Sequence, residues 1–154
     1  MKDGRGEGSL RVVLTTPKSE VRFDEPITFE VKVFNTSDEK VSLFGELLWG
    51  YAGGLTLHVS DENGNPVEAE QHDDDMVVPS LLDNPFSYVV LFPNHFLGTQ
   101  RRDTPKNLFR KPGSYRIFAE YLSPVPNHYA KTPNFRGRDD GPIRSATMVI
   151  EVRK

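Results

Sequence analysis

The chain of 154 residues contains no cysteine. That excludes disulfide staples and thiolate zinc sites, and it leaves the redox compartment open. No apolar run approaches the roughly 18–20 residues that a membrane-spanning helix needs, so no membrane insertion is expected. Charge of one sign is also missing: 19 Lys and Arg stand against 22 Asp and Glu, a formal net charge of -3. Such a balance provides no overall field for nucleic acid or for an acidic membrane surface. No segment sustains apolar spacing of three and four, which leaves room for single helical turns at most. The Gly-x-Ser-x-Gly elbow, His-Glu-x-x-His and the phosphate loop are absent as well. Neither an enzyme nor a cofactor is expected.

What is present is alternation. Lys111-Pro112-Gly113-Ser114-Tyr115 is a corner that feeds a strand over 114–122, with Tyr115, Ile117, Ala119 and Tyr121 on one face because successive strand side chains point to opposite sides. That face is expected to be core, with the Tyr115 hydroxyl reaching backbone near the corner. The same period predicts strands over 10–16, with Leu10, Val12 and Leu14 on one face, and over 26–34, with Ile27, Phe29, Val31 and Val33 inward. A further strand is expected over 40–48, bent at Gly45. Leu55, Leu57 and Val59 lead into the Asn63-Gly64 turn of a hairpin whose return strand falls at 67–70.

Residues 86–92 are apolar on both faces and predict a central strand covered on each side. The last strand is expected over 145–153, with Ala146, Met148, Ile150 and Val152 inward. Residues 1–9 read as a disordered polar arm, and 10–154 as a single domain of seven to nine strands. The fold class is all-β, an antiparallel immunoglobulin-like β-sandwich.

Five segments support a family resemblance: Val33-Phe34-Asn35-Thr36-Ser37; Val59-Ser60-Asp61-Glu62-Asn63-Gly64; Leu91-Phe92-Pro93; Pro112-Gly113-Ser114-Tyr115 with Tyr121; and Ile143-Arg144-Ser145. Together they resemble bacterial immunoglobulin-like or fibronectin-III-like sandwich domains, near the intracellular proteinase inhibitor type. The resemblance implies the fold and the tyrosine corner typical of such sandwiches. It transfers no inhibitory residue. The chain departs from antibody domains in lacking both cysteines.

Candidate chemistry is sparse. His72, Asp73 and Asp75 form an acidic stretch with the donor types of a metal site, though neighbours on one strand point apart and a solvated loop is the simpler reading. Asp61, Asn63 and Asn65 begin a calcium-loop spacing that Pro66 interrupts. His58, His95 and His128 are far apart in sequence. Arg101, Arg102, Lys106, Arg110 and Lys111 make a basic stretch, read as exposed charge along an edge strand. Trp49 and Tyr51 sit in a Gly-rich connection, either as core plugs or as stacking platforms.

The long Pro-rich insertion at 123–142 exceeds the usual length of a structureless connection. It carries Tyr129, Phe135, Arg136 and Arg138, types enriched at binding hot spots; the simpler reading is that Tyr129 and Phe135 pin the loop onto the sheet while the arginines stay solvated. The expectation is a non-catalytic binding or structural module of a bacterial exported or cell-surface protein, with a protein or glycan partner. The alternative is a protease-inhibitor-like protein acting through an exposed loop. A periplasmic or surface location is expected although no signal peptide is present, and a cytoplasmic one stays open.

Overall fold

The computed structural model describes residues 9–50, 52–67 and 79–154. Its strands are β1 (Leu10–Thr15), β2 (Glu20–Arg22), β3 (Ile27–Asn35), β4 (Val41–Phe44), β5 (Leu48–Trp49), β6 (Gly54–Asp61), β7 (Tyr88–Leu91), β8 (Phe96–Asp103), β9 (Gly113–Tyr121), β10 (Ile143–Arg144) and β11 (Met148–Arg153). One sheet has the order β1-β3-β8 and another β2-β11-β9-β6-β5, with β10 also on β9; β4 and β7 form a separate pair. Pairing is antiparallel except for β2 with β11 and β5 with β6. The arrangement is an all-β, immunoglobulin-like sandwich.

Alternation explains the core directly. Ile27, Phe29, Val31 and Val33 of β3 and Tyr115, Ile117, Ala119 and Tyr121 of β9 are buried in one hydrophobic cluster that spans both sheets. Leu10, Val12 and Leu14 of β1 join it. The tyrosine corner forms as expected: the Tyr115 hydroxyl donates to the Lys111 carbonyl at 2.6 Å and lies 3.2 Å from that of Phe109. Its ring stacks on Phe109 with centroids 4.5 Å apart.

Several expectations are corrected by pairing. Among the described residues there are eleven strand segments rather than seven to nine, because β2, β5 and β10 are pieces of two or three residues. Residues 86–92 do not make a central strand. Among the described residues β7 pairs only with β4, and Val90 and Phe92 are 49% and 46% exposed. The stretch 40–48 is not one strand. β4 ends at Phe44, and Gly45 then lies so close to β7 that a Cβ there would stand 3.0 Å from the Ser87 carbonyl oxygen.

The closing strand is split by a bulge. Ile143 lies opposite Tyr121 and Met148 opposite Ile117, so five steps on one side face four on the other. Ser145 fills the gap: its N–H donates to the Ala119 carbonyl at 2.8 Å and its hydroxyl accepts from the Ala119 N–H at 2.9 Å. Ala146 is therefore exposed rather than inward.

Arg101 corrects the reading of the basic stretch as exposed charge. It is only 9% exposed, with its Nε donating to Asp103 at 2.6 Å and its guanidinium 5.2 Å above the Trp49 ring. The strand period turns Arg101 inward because it sits opposite Phe29. Arg102, Lys106, Arg110 and Lys111 are exposed.

Candidate functional site

The insertion at 123–142 is built rather than slack. Asn127 closes its base: the Asn127 N–H donates to Asp139 at 3.0 Å, its Nδ2 to Asp140 at 2.9 Å, and its Oδ1 accepts from the Asp139 N–H at 2.9 Å. The Arg138 N–H donates to the Val125 carbonyl at 2.8 Å, and Val125 is fully buried. Gly137 makes this closure possible. A Cβ at Gly137 would fall 2.3 Å from Asn127 Oδ1, inside any tolerable contact.

Beyond the base, the insertion runs along β4. Ser42 donates its N–H to the Asn134 carbonyl at 3.1 Å and accepts the Arg136 N–H at 2.9 Å, while its hydroxyl donates to the Pro133 carbonyl at 3.0 Å. Asn134 Nδ2 also donates to the Lys40 carbonyl. The segment thus covers β4, whose four residues are all buried. Phe135 lies edge-on to Tyr88 at 5.6 Å, and Tyr88 edge-on to Phe44 at the same separation. Phe135 is a pin.

Arg136 sits where this segment meets the start of β1. It is 7% exposed, and its guanidinium reaches the Ser9 hydroxyl and the Asp140 carbonyl, each at 3.3 Å. Two clefts flank it and share Arg136 and Asp140. One, of about 580 Å³, is walled by Ser9, the Ser37-Asp38-Glu39 turn and Asn134. The other, of about 780 Å³, lies between β1, at Leu10, Arg11 and Val12, and Ile143 and Arg144 of β10. Beneath them, burial pushes the Tyr121 hydroxyl up to about 12, opposed in part by Ser123 and the Arg136 charge.

The remaining candidates are dispersed. Arg138 and Tyr129 are exposed, and Tyr129 edges a separate depression of about 420 Å³ with Leu82 and Tyr88. Trp49 packs against the hydrophobic core under Arg101, which favours its reading as a plug. Tyr51 and the metal candidates His72, Asp73 and Asp75 lie outside the described residues. Among the described residues no group of three or more His, Asp or Glu is disposed to hold a metal ion.

Asp61 spends its carboxylate on its own turn, accepting the N–H groups of Asn63 and Asn65 at 2.9 Å each. The Asn65 and Asn63 bonds hold its carboxyl below the ordinary value. The three described histidines lie in different places. His58 on β6 stacks on Phe118 and approaches Glu120 at 3.6 Å, His95 stacks on Phe92, and His128 stands beside Tyr129.

Sequence reasoning singled out the insertion but missed Arg11, Asp140 and the turn at Ser37-Asp38-Glu39, which complete the clefts. Alternation does mark Arg11 as outward. No local signal brings it to the insertion.

No family model and no curated protein matches the chain. Among solved structures it is similar to the CARDB domain of a Pyrococcus furiosus protein, at 16% identity over 94% of each chain, with a TM-score of 0.45. It is similar to the C-terminal domain of wzt at 7% identity, covering 96% of this chain and 75% of that one, with a TM-score of 0.47. A stretch of a β-glucosidase from Listeria innocua is also similar, at 14% identity over 94% of this chain and 16% of that one, with a TM-score of 0.44.

Proposed function

We propose that this sandwich is a non-catalytic binding module that recognises its partner at the end where the insertion meets β1. The observation that carries the reading is the insertion itself. Its backbone is tied to β4 and its base to Asn127, so the walls of both clefts are held in place before any partner arrives. Preorganised surfaces lose less conformational entropy on binding than loose loops. Loops at the ends of sandwiches commonly carry recognition.

An exported or cell-surface setting is part of the same proposal, supported by the frequency with which cell-surface proteins use sandwiches of this kind. Fractionation of the native host checks it.

A photo-cross-linking amino acid at Asp38 or Arg138, both exposed on this end, is expected to yield the same protein adduct in the native host. The same label at Arg102 on β8 is expected to yield none. Equal adducts from all three positions, or none from any, would overturn the reading.

One observation favours a second reading. Phe86 is 92% exposed on the turn Pro85–Ser87, where its N–H is held by the Asn84 side chain at 2.9 Å. A protruding, braced aromatic suits the apolar specificity pocket of a protease, as an inhibitor-like loop requires. Inhibition of a serine protease that cleaves after aromatic residues, lost in Phe86→Ala, would support this reading. Inhibition unchanged by that substitution, or none at all, would remove it.

A further inference from the structure

β8 is an edge strand whose outer side is open. In the sheet β1-β3-β8 it pairs only with β3 among the described residues. The Asn35 N–H donates to the His95 carbonyl at 2.9 Å, so Asn35 turns its backbone toward β8. Bonded pairs alternate along an antiparallel ladder, and the register sets Leu97 opposite Val33, Thr99 opposite Val31 and Arg101 opposite Phe29. The backbone groups of Leu97, Thr99 and Arg101 therefore face β3, and those of Phe96, Gly98, Gln100 and Arg102 face away from it. All four residues of this outward row are exposed. Gly98 has no side chain, so its exposure is that of its backbone. Among the described residues no hydrogen bond reaches the N–H or C=O of any of the four.

An open strand edge pairs with another strand unless proline or charge guards it. β8 contains no proline, and the centre of its outward row, Gly98 to Gln100, is uncharged. Arg101 is turned inward onto Asp103 and Trp49. The outward row is also complementary to itself. A two-fold antiparallel pair of β8 with a second β8 opposes outward residues to outward residues. With Thr99 facing its own copy at the axis, Phe96 stands opposite Arg102 and Gly98 opposite Gln100. A guanidinium then meets a ring that is 47% exposed, and the cation already near that ring, Lys32, is neutralised by Glu30 at 3.3 Å. The Gln100 stem covers a depression of about 290 Å³ over Gly98, walled by Glu30, Lys32 and Phe96. Sliding by one step to the next bonded register sets Gly98 on Gly98 or Gln100 on Gln100 and loses both matches.

We infer that two copies of the chain associate edge to edge through β8, about a two-fold axis at Thr99, which joins their three-stranded sheets into one continuous sheet. This goes beyond the binding-module reading. β8 starts at the Asn35 end of β3, where β1 also starts, so antiparallel pairing points the two Arg136 ends in opposite directions and makes the module bivalent.

Sedimentation equilibrium of the full chain tests the association. A strand pair lies at the small end of protein interfaces, so a monomer and dimer equilibrium with a dissociation constant of about 1–100 μM is expected. Gln100→Pro removes an outward N–H at an edge position that tolerates proline, and is expected to raise that constant about tenfold or more. Arg102→Gln removes both guanidinium contacts of the pair and is expected to raise it about fivefold to thirtyfold. Because the chain has no cysteine, Thr99→Cys supplies a single thiol. In a non-hydrogen-bonded pair at the axis the two Cα atoms stand about 4.5 Å apart, within disulfide reach, so mild oxidation is expected to link the dimer. Arg102→Cys, whose copies stand at opposite ends of the pair, is expected to give no linked dimer at the same concentration.

A chain that stays monomeric up to about 500 μM would overturn the inference. So would association that survives Gln100→Pro, growth beyond a dimer, or equal linking through residues 99 and 102. In the native host a cross-link from Arg102 to a second copy differs in mass from the partner adduct of Asp38 and Arg138, so either reading can fail while the other stands.

Discussion

Tyr115 offers the sharpest perturbation because its two contributions separate. Tyr115→Phe removes only the hydroxyl that donates to Lys111 at 2.6 Å, with the Phe109 carbonyl 3.2 Å away. The ring stays on Phe109. The lost bond leaves a buried carbonyl without its donor, a loss of about 1–2 kcal/mol. Tyr115→Ala removes the ring too, and truncation of a large buried aromatic lowers stability by about 3–5 kcal/mol. The ring's share is then about 2–3 kcal/mol. Urea melts of the two variants measure both quantities, provided the slope is unchanged so that midpoint shifts report stability. At about 2–4 °C per kcal/mol for a chain of this size, thermal melts give a second reading. A Phe variant within about 0.5 kcal/mol of the parent, the range of ordinary surface changes, would refute the corner. An unmoved Ala variant would refute the core assignment of β9.

Two further predictions follow from buried polar groups. Asn35 is fully buried and its Nδ2 donates to Glu39 at 2.7 Å and Leu91 at 2.9 Å; Asn35→Asp removes both donors, and calorimetry is expected to show a loss of about 2–4 kcal/mol. Tyr121 ionises at about 12 in the fold against 10.0 ordinarily; because the unfolded state releases its proton first, this contribution is complete below pH 10 and fades as pH rises to about 12. The full decline is about 3 kcal/mol. Melts across this range are expected to fall less steeply in Tyr121→Phe than in the parent.

Much of the sandwich was legible locally. The inward faces of β1, β3 and β9 follow from period-two alternation, and Tyr115 finds its carbonyl partners within six residues, so the corner is written in one short segment. The Asn63-Gly64 turn is equally local. What alternation cannot state is which strand lies beside which. That is why 86–92, apolar on both faces, read as central yet pairs only with β4 among the described residues, and why Arg101 read as exposed yet is buried against Trp49 and Asp103. Phe135 read either as a pin for the insertion or as a hot-spot residue, and that it pins beside Tyr88 depends on a bridge to Ser42, a partner far back in the chain. The clefts around Arg136 are likewise products of tertiary pairing. Burial faces are set by neighbours two residues apart, whereas edges, covers and clefts are set by hydrogen bonds between segments that only the folded chain brings together.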